Sequence, residues 1–403
     1  MNRVLLSFAL MTIGVLSWGQ SRLYGPWSGQ LDTGGQKLAI VLNISDTGCT
    51  MDSPDQSAYG IPAEIKEIND MKISIAIPSL GITYEGSLMM GTIVGNFSQS
   101  GFSLPLVLKK GIPEVRRPQT PQPPFSYTTE EVTFSNPADG AVLSGTMCIP
   151  AGADSDTPVV LMVSGSGLQD RDETLYEHKP FHVIADHLAS NGIASLRYDD
   201  RGYGKSTGDV AAATTETFAR DAEAGLDYLK NSGRFGQVGL IGHSEGGLIA
   251  FILAGEGKTD FIVSLAGPAV DGRRILKEQV RRMFELQGAP EEVIQQQVEA
   301  VLKDEGVWMQ WFMEFDPIDS IRSISCPVMA LNGEKDIQVI STTNISVLRE
   351  NLKADSRSVI KEYPDLNHLF QPCETGLTSE YRNIETTVSE DVLNDIVNWI
   401  TTL

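Results

Sequence analysis

The chain has 403 residues, 41% hydrophobic and 21% charged, with a formal net charge of −21. That length suits two domains or one large one, and the balance is ordinary for a globular protein. Such acidity argues against nucleic acid as a partner, because no basic stripe is present to neutralise phosphates, and against docking on anionic lipid; its plainest effect is solubility.

The first residues read as a targeting signal. Arg3 precedes an apolar run from Val4 to Leu16, and Ser17-Trp18-Gly19 places small residues at −3 and −1 of a cleavage site before Gln20. Residues 1–19 are therefore expected to be a signal peptide, and the mature protein to be exported, periplasmic or extracellular. The run is too short to span a bilayer and no later stretch reaches about 18 apolar residues, so no stable membrane insertion is expected. Export permits disulfides, but Cys49, Cys148, Cys326 and Cys373 follow no scaffold or metal spacing; three pairings are open, and so are buried free thiols.

Residues 20–110 read as an antiparallel β domain. Short apolar or alternating runs (Leu38 to Ile44, Met71 to Ile77, Ile82 to Leu88, Thr92 to Phe97, Phe102 to Leu108) are separated by Gly, Asn, Asp and Ser clusters. A barrel or sandwich of roughly seven strands is expected, with Trp27 as a core anchor in preference to a ligand-stacking platform. Residues 111–126 hold Pro113, Pro118, Pro121, Pro123 and Pro124. Proline fixes φ and removes donors, so this segment reads as a stiff linker and the domain boundary.

From Tyr127 strands alternate with helical patterns, which indicates an α/β domain over 127–403: a mostly parallel sheet with helices on both faces. Glu131 to Ser135 and Gly145 to Ile149 form an opening hairpin. Strands follow at Pro158 to Val163, Ala194 to Tyr198, Val238 to Gly242, Phe261 to Ala266, Pro327 to Leu331 and Ser358 to Tyr363. Arg273 to Gln287, Glu291 to Asp304 and Val307 to Phe315 are three helical runs with no strand between them. They predict a helical cap inserted at about 271–317.

The chemistry centres on Gly242-His243-Ser244-Glu245-Gly246, which follows an apolar strand and opens a small-residue helix. With 38 glycines the bare Gly-x-Ser-x-Gly pattern arises by chance in roughly one such chain in four, so its context matters. Strand, motif and helix together resemble the nucleophile elbow of α/β-hydrolases, in which an acid and then a histidine follow the serine in the chain. Of five histidines only His368 lies well beyond Ser244, just past the last strand, and elimination selects it as the base. The preceding strand ends in Asn332-Gly333-Glu334-Lys335-Asp336; Asp336 is preferred to Glu334 as the acid that holds the imidazole tautomer. The Glu245 amide supplies one oxyanion donor. Ser164-Gly165-Ser166-Gly167 supplies a second, from the Ser166 amide or else that of Gly167.

Other polar clusters are expected to be structural. Asp170, Arg171, Asp172, Asp199, Asp200 and Arg201 fall on two loops at one sheet edge and should pair with one another. His178, His182 and His187 have no metal motif, and Pro180 breaks the register of the first two. Gly202-x-Gly204-Lys205-Ser206 lacks the phosphate-loop spacing.

Residues Tyr127 to Leu403 resemble exported bacterial esterases of the α/β-hydrolase family, related to serine aminopeptidase-like and dienelactone-hydrolase-like proteins. The resemblance rests on Ser164 to Asp172, Tyr198-Asp199-Asp200-Arg201-Gly202, Gly242 to Gly247 and Asn367-His368-Leu369-Phe370, with Leu168 standing where a proline is common. It implies hydrolysis of a small-molecule carboxylic ester through an acyl-enzyme on Ser244, with Asp336 and His368, and no metal or other cofactor. Residues 20–110 resemble a β-rich domain that often precedes such hydrolases. Two other readings stay open: a serine peptidase on short peptides, with Glu245 or Glu314 holding an α-ammonium, and a glycan- or surface-binding module built on Trp27.

Overall fold

The computed structural model describes residues 21–33, 37–56, 58–112, 115–353 and 355–403. The expected signal segment, 1–19, lies outside them. The chain divides into two compact units, one up to Glu114 and one from Val115 to Leu403.

The first unit is a closed antiparallel barrel of eight consecutive strands: β1 (Gly25–Asp32), β2 (Lys37–Ile44), β3 (Cys49–Ser53), β4 (Ala58–Ile68), β5 (Lys72–Ile77), β6 (Ile82–Met89), β7 (Thr92–Gln99) and β8 (Phe102–Lys110). The expectation of about seven strands is one short. The ladder between β3 and β4 is irregular: its register shifts between Met51 and Ser53, beside Pro62, a residue that reads as a strand breaker. Alternate side chains fill the interior, as a barrel this narrow requires. Trp27 is 1% exposed and its indole N–H donates to the Leu23 carbonyl at 2.8 Å. It is a core residue, and the platform reading of it falls.

The second unit holds one eight-stranded sheet. Its elements are β9 (Thr128–Ser135), β10 (Val142–Ile149), β11 (Val159–Val163), α1 (Pro180–Ser190), β12 (Ala194–Tyr198), α2 (Thr215–Ser232), β13 (Val238–His243), α3 (Glu245–Gly255), β14 (Phe261–Leu265), α4 (Gly272–Leu286), α5 (Glu291–Val301), α6 (Val307–Glu314), α7 (Ile318–Ser323), β15 (Val328–Gly333), α8 (Ser341–Asn351), β16 (Val359–Tyr363), α9 (Thr378–Tyr381) and α10 (Glu390–Ile400). The sheet order is β16-β15-β14-β13-β11-β12-β10-β9. The β9–β10 hairpin is antiparallel, and β12 to β16 run parallel with β11.

Strands covered on both faces must be apolar throughout, and all five residues of β11, Val-Val-Leu-Met-Val, are buried. Val159, Leu161 and Val163 pack with α2 and α3 on one face, and Val160 and Met162 with α1 and α10 on the other. The chain leaves β11 toward β12 and then returns across it to β13. That reversal opens a crevice at the C-terminal ends of β11 and β13, where open α/β sheets bind ligands. Helices α4 to α6 form the expected insertion. Ile275, Leu276, Phe312 and Met313 pack on Leu248, Val270 and Val339 near this end of the sheet.

The proline-rich segment departs from its reading as a spacer, since residues from 115 onward belong to the second unit. The Arg117 guanidinium donates to the carbonyls of Tyr176 (2.7 Å), Ile384 (2.9 Å) and Arg382 (2.9 Å). The Gln119 amide accepts from the Thr387 and Val388 N–H groups and donates to the Val388 carbonyl. This half is a strap, and sequence patterning hid it because its partners lie 59 to 269 residues away. Arg117→Ala is expected to lower stability by about 2 kcal/mol through loss of charged hydrogen bonds to part-buried carbonyls. The exposed Arg116, with one 3.3 Å contact to Glu385, should change it by less than about 0.5 kcal/mol. Urea midpoints of the two variants check this.

Candidate active site

Ser244 sits at the apex between β13 and α3 with φ 52° and ψ −117°. A non-glycine residue in this strained region is held there by its surroundings. Here the surroundings are two glycines. A Cβ on Gly242 would lie 2.0 Å from the Gly246 carbonyl oxygen, and one on Gly246 would lie 2.0 Å from that of Val163. Only glycine lets α3 start this close to the ends of β11 and β13. The Ser244 N–H donates to the Leu265 carbonyl at 2.8 Å, tying the turn to β14. Glu245 is the first residue of α3, so its amide has the helix dipole behind it.

His368 follows β16 in a loop shaped by Asn367, whose side-chain oxygen accepts the Leu369 and Gln371 amides, each at 3.0 Å. Asp336 follows β15. Its Oδ1 accepts the Gln338 and Val339 amides at 2.8 and 2.9 Å, and its Oδ2 lies 2.7 Å from His368 Nδ1. The carboxylate thereby fixes the proton on Nδ1 and leaves Nε2 as the basic nitrogen. Glu334, the other candidate acid, is exposed and accepts the Asp365 amide instead. Ser244, Glu245, Ser166 and His368 line one cavity of about 340 Å³, beside Ile275, Leu276, Trp308 and Phe312 of the insertion.

The loop after β11 is more constrained than its glycines suggest. The Gly165 amide is committed to Glu173 Oε1 at 2.7 Å. Ser166 faces the cavity, whereas Gly167 is not part of its lining and is the weaker choice. Glu245 contributes more than its amide. Its carboxylate is buried and accepts Thr215 Oγ1 at 2.6 Å and the Trp308 indole N–H at 2.7 Å. Burial raises its pKa, against the opposing hydrogen bonds from Thr215, Trp308 and Ser166. A carboxylate so committed is not free for an α-ammonium, and Glu314 is exposed and outside the cavity lining. Both acids named for a peptidase are therefore misplaced for that task.

The charged set pairs only partly within itself. Arg171 grips Asp199 through Nε and Nη2 (3.0 and 2.8 Å) and reaches Glu131. Arg201 instead takes Asp221 and Asp139, and Asp172 takes Arg197 and Lys179. Lys205 is bound to Glu131, and its amide to Asp199. His178 is buried between Thr387 Oγ1 and the Tyr381 carbonyl, and burial lowers its pKa to about 4. His182 packs edge-on against Phe125, and His187 lies in the last turn of α1. Glu173 escaped the sequence reading. It lies at the end of Asp170-Arg171-Asp172-Glu173, looks like one more loop charge, and yet is 1% exposed with φ 52°.

A mostly parallel sheet with a strained serine on the turn after β13, and a carboxylate–histidine pair on the loops after β15 and β16, is the α/β-hydrolase fold, and in the chain it follows a small β-barrel. The family described as serine aminopeptidase, S33, matches residues 177–299. The esterase EstD of Thermotoga maritima is 26% identical over 289 residues, 69% of this chain and 68% of its own length. Among solved structures, an esterase of Pyrococcus furiosus has 20% identity and a TM-score of 0.49 over 72% of this chain and 98% of its own. A dienelactone hydrolase of Anabaena variabilis has 18% identity and a TM-score of 0.44 over 69% and 98%.

Asp200 gives a test of the packing beneath the site. It is buried with no salt bridge among the described residues; its side chain accepts Ser164 Oγ at 3.1 Å and the Gln169 amide at 2.8 Å. Burial pushes its pKa up to about 8, against those hydrogen bonds. A carboxyl raised above its unfolded value near 4 favours the fold below that value, and this contribution is lost as the pH rises through 8. Asp200→Asn should therefore gain stability relative to the parent chain between pH 5 and pH 9, by about 4 kcal/mol. Urea midpoints at the two pH values measure it; a difference independent of pH would contradict the assignment.

Proposed function

We propose that the chain hydrolyses small carboxylic esters through an acyl-enzyme on Ser244. The observation that carries this reading is the 2.7 Å Asp336–His368 bond on the wall of the cavity that Ser244 also lines. His368 Nε2 takes the Ser244 proton as Oγ attacks the ester carbonyl. The tetrahedral oxyanion is held by the Glu245 and Ser166 amides, preorganised by α3 and by the Glu173-anchored loop; one such donor supplies about 3–4 kcal/mol of barrier reduction. Collapse expels the alcohol, which takes its proton from His368. Water then attacks the acyl-enzyme with the same histidine as base, and Ser244 is restored.

The insertion lines the cavity with apolar surface, and a volume of about 340 Å³ is near the small end for ligand sites, which supports a substrate with short acyl and alcohol parts. The Thermotoga maritima relative is named an esterase, which supports the same reaction class. The peptidase reading has lost both acids named for it, Glu245 and Glu314, and the binding-module reading has lost Trp27 to the barrel core.

Ser244→Ala is expected to cut kcat/KM for a short-chain p-nitrophenyl ester by about 100,000-fold, and Asp336→Asn by about 10,000-fold. Unchanged turnover in Ser244→Ala would end the reading, and faster turnover of aminoacyl-anilides than of esters would move it to a peptidase. Export belongs to the same proposal and is supported by Arg3, the apolar run and the small residues before Gln20. N-terminal sequencing of protein recovered outside the cytoplasm of a bacterial host should begin near Gln20.

A further inference from the structure

His243 stands one residue before the nucleophile, buried, with both ring nitrogens engaged. Nε2 lies 3.0 Å from the backbone oxygen of His368. A carbonyl oxygen only accepts, so Nε2 carries a proton. Nδ1 lies 2.8 Å from Glu173 Oε1, and the same oxygen accepts the Gly165 amide at 2.7 Å. An oxygen that takes an amide proton at this distance behaves as a carboxylate acceptor, so Nδ1 carries a proton too. Two acceptors on one imidazole call for its cationic form.

We infer that His243 is held as a buried imidazolium which, with Glu173, clasps three loops together and keeps His368 in its neutral, basic form. The chain of bonds runs from the Gly165 amide to Glu173, on to His243, and from there to the His368 carbonyl. It joins the loop after β11, the serine turn and the base-bearing loop. His243 is thus a positioning residue, and the role rests on the reading of His368 as the base.

The charges around it support this state. Burial opposes a cation here, but the Glu173 carboxylate, the His368 carbonyl and the more distant Asp336 outweigh it and raise the His243 pKa. The two imidazole rings lie 4.7 Å apart, tilted by 50°. Glu173 contacts the ring nitrogen of His243 that does not touch His368. A cation this close disfavours a second imidazolium beside it.

The full-length protein with ¹⁵N-labelled histidine tests the protonation state without reference to activity. One histidine should show both ring nitrogens protonated at pH 8, with a through-space contact to the Gly165 amide. That signal should survive Ser244→Ala and vanish in His243→Gln. Gln retains an amide donor toward the His368 carbonyl but has no charge. In it the acidic limb of kcat/KM for the p-nitrophenyl ester should move to higher pH by about one unit, so that turnover on that limb falls about tenfold while turnover at pH 9 changes less. Absence of a doubly protonated histidine at pH 8 overturns the inference even if the Gln variant does not fold, and so does a limb that stays in place or moves down. If ester turnover proves independent of Ser244, the esterase reading falls, while the labelled spectrum still decides the state of His243.

Discussion

The site depends on one close approach, that of the first turn of α3 to the end of β11. Gly246 packs so tightly on the Val163 carbonyl that no side chain fits between them, and Gly242 packs as tightly on Gly246. This contact sends the chain from strand to helix with no intervening loop and puts Ser244 in the left-handed region. It also brings the α3 amides beside the Ser164 to Gly167 loop, the other side of the crevice left by the reversal of strand order. The strain at Ser244 is sustained by a core in which β11, β13 and β14 are fully buried.

What could be read from sequence divides by the range of the interactions. The serine turn was legible because its determinants lie within five residues. His368 was legible because chain order and scarcity leave no rival, and Asp336 because strand ends have a local signature. Both the parallel sheet and the inserted helices follow from periodicity. What stayed hidden depends on partners distant in the chain. Glu173 looks like one more loop charge until the fold brings it to His243, 70 residues later. Arg117 and Gln119 lie in a proline-rich tract, and only the fold shows the carbonyls they bind. In the barrel, β4 carries Gly60 and Pro62, local signals that oppose a strand and are overridden by closure of the sheet.

The acidity of the chain, plain in its composition, is unevenly used. Most of the acidic residues near the sheet edge meet cations: Asp199 with Arg171, Asp221 and Asp139 with Arg201, Asp172 with Arg197. Asp200 and Glu245 do not follow that pattern, and Glu173 follows it through a histidine in place of an arginine or lysine. They are buried around the loop after β11, and neutral donors and one histidine hold them. Apolar packing alone would leave that loop's amides free to turn; carboxylates that accept them fix the direction in which the remaining amides point.

The four cysteines carry a consequence of a different kind. Each is a free thiol; Cys49 is in the barrel core, Cys148 is under the sheet, and Cys326 and Cys373 are half-buried. Burial pushes the Cys49 thiol up to about 12 and those of Cys326 and Cys373 up to about 11, so little reactive thiolate forms at neutral pH. No disulfide staples either unit among the described residues. With all four cysteines free, the described fold holds no disulfide that a change of redox potential could break.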